Sequence, residues 1–212
     1  MIMPQFISPD LASHKDDILD YSASGKASPV TYRTGADGVL SGAALSSASA
    51  TFVAANIGMY VAIVGRGYAL VTAKPDDHTL TLDTTLVAGT ALRFCVGAHA
   101  GIERDAFTML KTDAVNGWSR TIMDTNGFAR SVHVKGLTEI TGSAVADYDF
   151  LSEIAATCTD FDDAHKYATL CRICRKEGLQ GGQTWRDWAS DFARDYYGCL
   201  QTAIETLART LS

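Results

Sequence analysis

The sequence predicts an α+β protein: a small antiparallel β module, barrel-like or sandwich-like, followed by a helical C-terminal region with one long terminal helix. Two observations predict this class. Short runs rich in β-branched, aromatic and aliphatic residues occupy positions 59–64, 68–73, 79–82 and 91–96, and Gly, Pro and Asp separate them, as in an antiparallel meander. Beyond residue 101 the apolar residues recur at three and four positions instead, which is the helical period.

The composition is that of a folded protein. Of 212 residues, 47% are hydrophobic and 20% charged, which excludes a mainly disordered chain. No apolar run approaches the roughly 18–20 residues of a membrane span, and the N-terminus lacks the basic and apolar regions of a secretory signal. Five scattered cysteines do not form a disulfide framework, so we expect a reducing cytoplasm. A net charge of −6 disfavours wrapping by nucleic acid.

Three regions follow from the patterning: 1–36, an N-terminal helix and arm; 37–100, the β module; and 101–212, the mainly helical domain. Ser8 and Pro9 suit the start of a short helix with Leu11, Ile18 and Leu19 as its apolar contacts. This helix is too short and polar to stand alone, so we expect it to dock on another element or subunit.

Residues 22–49 are rich in Ala, Ser and Gly, with weak strand candidates at 29–33 and 38–45. The segment is either a flexible arm or an arm that orders on a partner, because it has little apolar surface of its own. The β block after it is expected to be marginal alone and to lean on the helices or on neighbouring copies. Its predicted core is Phe52, Ile57, Val61, Ile63, Leu70, Leu80, Leu82, Leu86, Leu92 and Phe94.

The helical region begins with a predicted helix over 102–115, which Asn116 and Gly117 end. A hairpin is predicted within 118–135, with 120–123 against 128–134, because Asn126-Gly127 is a strong turn dipeptide. Three further helices are predicted at 147–158, from Asp160 to a stop at Gly178, and from Thr184 to the C-terminus.

The last helix has the clearest pattern in the chain. A helix of roughly 28 residues is about 42 Å long, more than a small domain easily buries, so we expect part of its apolar stripe to form a subunit interface. The stripe consists of Trp185, Trp188, Phe192, Tyr196, Leu200, Ile204, Leu207 and Leu211.

No catalytic motif, cofactor site or complete metal site is evident. Cys171 and Cys174 form a CxxC pair, but only Cys158 and His165 lie near enough in sequence to complete a zinc site. Both cysteines also fit the apolar phase of their helix, so we interpret them as buried thiols. Asp76-Asp77-His78 is interpreted as a hairpin turn, and Gly65-Arg66-Gly67 as a hairpin loop without the signatures of a nucleotide-binding loop.

The segment from Asp37 to Val96 resembles a small β module common in virion proteins of tailed bacteriophages. The resemblance covers about a third of the chain and is only of fold type. It rests on the Ser/Ala-rich lead-in to Phe52, on Asn56-Ile57-Gly58-Met59-Tyr60-Val61, on Gly65 with Tyr68-Ala69-Leu70-Val71, and on Thr79-Leu80-Thr81-Leu82-Asp83.

With helices following it, the module is similar to phage head-to-tail adaptors (connectors). This implies a non-enzymatic virion structural protein, assembled in the host cytoplasm, that forms a homo-oligomeric ring beneath the portal, with a dodecamer as one candidate stoichiometry. The implied partners are further copies, the portal protein and tail or nozzle proteins. DNA would pass nearby without specific binding, since an acidic lumen repels it, and no membrane is involved.

Two alternatives stay open. One is a tail-fibre or baseplate component in which the β module is a spacer or receptor-facing domain. The other is a cytoplasmic enzyme or zinc-binding regulator that uses Cys158, His165, Cys171 and Cys174.

Overall fold

The structure is a computed structural model that describes residues 33–142, 159–178 and 183–211. An antiparallel six-stranded barrel is followed by helices, the last of which has 29 residues, so the predicted α+β class is confirmed. The predicted helices at 8–20 and 147–158 lie outside the described residues. Among those described, no helix combines the length and the apolarity that a bilayer crossing requires.

The barrel strands follow the order β1-β2-β5-β4-β3-β6, and β6 pairs back onto β1 with Val96 opposite Arg33. Closure leaves no free sheet edge for other strands to add to. The strands are β1 (Arg33–Ser41), β2 (Ala44–Ser46), β3 (Tyr60–Ile63), β4 (Gly67–Asp76), β5 (Thr79–Leu82) and β6 (Gly89–Val96).

The four predicted β runs correspond to β3–β6, but β1 and β2 come from the segment interpreted as an arm. From Arg33 onward that interpretation is wrong, and the boundary placed at 36/37 falls inside β1. Small side chains are required here. A Cβ atom at Gly35 would lie 2.5 Å from the Phe94 ring, and one at Gly38 would lie 2.9 Å from the Leu92 carbonyl oxygen. Low bulk therefore indicates close packing over a barrel core.

A second difference concerns the turn after β4. The expected turn at residues 74–77 begins later, because β4 continues through Pro75 to Asp76. Proline has no N–H to donate, and Pro75 lies within a register shift between Ala73 and Asp76, where the ladder is irregular. The turn itself is at Asp77 and His78.

The barrel core contains most of the predicted residues. Leu86 and Leu92 pack partly buried at its margin, whereas Ile57 is 47% exposed and Leu70 is half-buried outside it, so these two predictions are wrong. In β4 the buried positions are Gly67, Ala69 and Val71, and period-two alternation turns Leu70 outward. The core is Leu40, Leu45, Ala50, Phe52, Val61, Ile63, Ala69, Val71, Leu80, Leu82, Phe94 and Val96.

The helical part matches its predicted elements. The first helix begins four residues earlier than expected, directly after the barrel, and the predicted hairpin is confirmed. The elements are α1 (Ala98–Asn116), β7 (Trp118–Met123), β8 (Ala129–Val134), α2 (Leu137–Thr141), α3 (Thr159–Gly178) and α4 (Gln183–Leu211). Their shared core joins α1, α3 and α4 around Phe107, Leu110, Phe161, Leu200 and Ile204.

Candidate assembly surface

The hairpin formed by β7 and β8 is anchored only at its base. Trp118 is buried and its ring stacks on Tyr197 of α4, with ring centroids 5.6 Å apart. Opposite it in the ladder, Val134 packs against the helical core. Since isolated two-stranded hairpins are marginal in water, this anchorage is what holds the element in place.

Two glycines make the base possible. Gly117 ends α1 with φ +77°, and Gly136 follows β8. A Cβ atom at Gly136 would lie 2.1 Å from the Gly117 nitrogen and 2.5 Å from the Val115 carbonyl oxygen. The two chain segments therefore cross at backbone contact distance, which fixes where the hairpin leaves the helices.

Beyond the base, the hairpin projects apolar side chains into solvent. Phe128 is 69% and Met123 68% exposed, and Ile122 is 39% exposed. We call residues 123–128 the hairpin tip. Its turn is well defined: one Asp124 carboxylate oxygen accepts hydrogen bonds from the N–H groups of Asn126 and Phe128, both at 2.9 Å. An apolar tip on an ordered turn is typical of a protein–protein contact.

The hairpin has two unlike faces. Side chains directly opposite one another in an antiparallel ladder share a face. One face, which we call the inner face, continues outward from the buried base, and its members are Trp118, Arg120, Ile122, Arg130, Val132 and Val134. The other face carries Ser119, Thr121, Met123, Ala129, Ser131 and His133, all of them exposed. The inner face is therefore apolar with two arginines, and the opposite face is largely polar.

A buried polar contact joins the barrel to the helices. The Nε2 atom of His165 in α3 lies 2.9 Å from the Glu103 backbone carbonyl oxygen in α1 and 3.2 Å from the Tyr68 hydroxyl in β4. A carbonyl oxygen only accepts, so Nε2 carries the hydrogen and donates it. Phe107 packs edge-on against the same imidazole, with centroids 5.5 Å apart.

This contact favours a structural role. His165 and the Glu103 side chain are fully buried, so a substrate in solvent does not reach them in this conformation. Burial lowers the pKa of His165 from 6.5 to about 4, although the hydrogen bond to the Glu103 carbonyl opposes the shift. The imidazole is therefore neutral near pH 7 and holds the two parts of the chain together.

The apolar stripe of α4 lies largely inside this chain. Five of the eight predicted interface residues are buried: Phe192, Tyr196, Leu200, Ile204 and Leu207. They pack on α1 and α3, so their side chains do not offer a free surface to a neighbouring copy. The expected surplus of apolar surface on α4 is thus met by the chain's own helices.

The remaining three interface residues differ from these. Trp185 and Trp188 are half-buried against a cluster formed by α3 and α4, with their rings edge-to-face at 5.3 Å. An interface role for this tryptophan pair stays a prediction. The side chain of Leu211 lies outside those described.

The CxxC pair lies in that same cluster. Cys171 is buried, and its thiol donates to the Ala189 carbonyl oxygen at 3.3 Å, while Cys174 is fully buried. Burial raises the pKa of the Cys171 thiol, which disfavours the thiolate that zinc requires. Within the described residues no group of three or more Cys, His, Asp or Glu side chains is arranged to hold a metal ion. Cys158 lies outside them.

Sequence reasoning placed the hairpin but missed its surface character. The available signal was a hydrophobic residue on either side of the turn sequence Asp124-Thr125-Asn126-Gly127, namely Met123 and Phe128. Comparison with known proteins adds no further assignment: no family model, curated protein or solved structure matches this chain.

Proposed function

We propose that this protein is a non-enzymatic structural component of a tailed-bacteriophage virion, a head-to-tail adaptor that forms a ring beneath the portal and links head to tail. Its partners are neighbouring copies, the portal protein and a tail or nozzle protein. DNA passes through the ring without specific binding.

The observation that carries the proposal is the hairpin tip. Met123 and Phe128 are the most exposed large apolar side chains among the described residues, and they lie on a turn that Asp124 holds in one conformation. A single projecting contact of this kind is not self-complementary. It therefore fits a heterologous, head-to-tail interface, which generates rings when the rotation closes.

Two further features support the proposal. The barrel is closed, so it offers no edge strand for uncontrolled pairing, which suits a module packed beside copies of itself. The resemblance of residues 37–96 to phage virion β modules supplies the assignment to a virion. Architecture alone does not distinguish an adaptor from other virion positions.

The test is the oligomeric state of the purified full-length chain, measured by native mass spectrometry and negative-stain electron microscopy over a range of concentrations, with and without the portal protein encoded in the same genome. We expect a closed ring of many copies, alone or on the portal. The double variant Met123→Ser/Phe128→Ser should stay monomeric. Thr121→Ser, which alters an exposed side chain of the same hairpin, is the matched control and should assemble normally.

Three results would contradict the proposal. A monomer under every condition would remove the ring, and a trimer would favour a tail-fibre component instead. Normal assembly of the double variant would show that the hairpin tip is not the contact.

A further inference from the structure

The inner face of the hairpin is incomplete as an apolar surface. It starts in the core at Trp118, continues through half-buried Val132 and Val134, and ends at Ile122, which is 39% exposed. Arg120 and Arg130 flank these apolar side chains and are exposed. An occupant of this face must therefore combine apolar side chains with carboxylates.

The charge of the hairpin differs in sign from that of the chain. Residues 118–135 contain three cations, Arg120, Arg130 and Lys135, against one carboxylate, Asp124, within a protein of net charge −6. Pairing of two such hairpins would bring like charges together, which is unfavourable. A complementary acidic segment is the better fit.

The N-terminal segment has that chemistry. Residues 8–20 contain four aspartates and one lysine. Leu11, Ile18 and Leu19 are spaced so that a helix would carry them on one face, with the aspartates on its flanks and back. These three side chains are too few to stabilise the segment in isolation, so it requires a docking surface.

The segment also has the necessary reach. Arg33, where the described chain begins, pairs with Val96, two residues before α1 starts, and the hairpin begins two residues after α1 ends. The 19 residues of α1 span about 28 Å. Residues 21–32 extend to about 40 Å at most and average about 20 Å as a flexible chain. Linker length and span are thus well matched, and the effective concentration within one chain is on the order of millimolar.

We propose that residues 8–20 of the same chain dock on the inner face of the hairpin. Leu11, Ile18 and Leu19 cover Ile122 and Val132, and the aspartates pair with Arg120 and Arg130. The opposite face and the hairpin tip stay available for other contacts, so this docking is independent of ring formation.

The test uses the full-length chain with the photo-reactive residue p-benzoylphenylalanine at one hairpin position. Placed at Ile122, it should cross-link within residues 8–20, and the product should have the mass of a monomer at every protein concentration. Placed at Thr121, on the opposite face, it is the matched control and should yield at least about tenfold less of that product.

A charge swap tests the electrostatic part. Arg120→Glu should lower the yield from position 122 about tenfold at low salt, and adding Asp17→Lys and Asp20→Lys should restore most of it. Unchanged circular dichroism and melting temperature would show that each variant is folded. No cross-link to residues 8–20, a cross-link confined to residues 143–158, a product of dimer mass, or a swap without rescue would each overturn the proposal.

Discussion

The Tyr196 hydroxyl donates a hydrogen bond of 2.7 Å to a carboxylate oxygen of Asp113, and this contact joins the middle of α4 to the end of α1. Burial raises the pKa of Asp113, and the bond from Tyr196 partly offsets that shift. Burial likewise raises the pKa of the Tyr196 phenol far above its ordinary value, so the phenol stays a donor at all accessible pH values.

Tyr196→Phe should therefore destabilise the protein by about 1–3 kcal/mol, because a partly buried carboxylate loses a hydrogen-bond donor. Urea denaturation measures the loss. Tyr197→Phe removes the same atom from the neighbouring half-buried residue and should change the free energy of unfolding by less than about 0.5 kcal/mol. Equal losses in the two variants would contradict the role given to the Asp113 contact.

The buried imidazole of His165 should make stability depend on pH. Its folded-state pKa of about 4 lies below the ordinary 6.5, so the unfolded chain binds a proton first as pH falls. Stability from this group is present above pH 6.5 and is lost as pH falls toward 4, by about 3 kcal/mol at most. In His165→Gln, the difference in unfolding free energy between pH 7 and pH 4.5 should shrink.

The matched control for this prediction is His133→Gln, which alters an exposed imidazole on the hairpin. It should retain the wild-type decline between the two pH values. A full wild-type decline in His165→Gln would assign the acid sensitivity to other groups.

Gly136→Ala should be severe, because the added Cβ meets backbone atoms that no side-chain rotation can move away. We expect a loss of about 3 kcal/mol or more, or a hairpin displaced from the helices. Gly127→Ala is the control: Gly127 has φ +81° but open space around its Cβ, so only the strain of about 1–2 kcal/mol applies. Thermal melting separates the two, and a milder effect at 136 than at 127 would argue against the close crossing.

Substitution at the hairpin tip should separate assembly from stability. Met123→Ser/Phe128→Ser removes exposed surface, so its unfolding free energy should stay within about 0.5 kcal/mol of the wild type while self-association is lost. Sedimentation velocity and urea denaturation on the same samples provide both measurements. A large loss of stability would mean that the tip packs against this chain.

Ile204→Asp should unfold the protein, since it introduces a charge at a position that is 2% exposed among α1, α3 and α4. The expected loss is about 4 kcal/mol or more. Thr202→Asp places the same charge on the exposed side of α4 and should be tolerated. A folded but unassembled Ile204→Asp variant would restore the interpretation of Ile204 as an interface residue.

The elements with strong local signals were predictable. Thr79–Leu82 has clear alternation, Asn126-Gly127 marks the hairpin, and the repeat from Trp185 marks α4. Local patterns do not tell which apolar surface a distant segment covers. The stripe containing Tyr196 therefore predicted an excess that α1 and α3 in fact bury.

The first two strands failed for a related reason. Their Gly-rich sequence is a poor strand signal on its own, and only the Phe94 ring on β6 explains why Gly35 and Gly38 must lack side chains. The surface character of the hairpin is likewise a tertiary property, because it depends on how far Gly117 and Gly136 let the strands diverge from α1.

The pairing of Arg33 with Val96 places the entry and the exit of the barrel side by side. A unit whose two ends meet can be inserted into, or removed from, a host chain with little disturbance of what surrounds it. The barrel thus has the geometry of a portable cassette. Grafted between two helices of an unrelated protein, it needs only a short connection on each side, which gives recombination an easy way to spread such a unit among otherwise dissimilar genes.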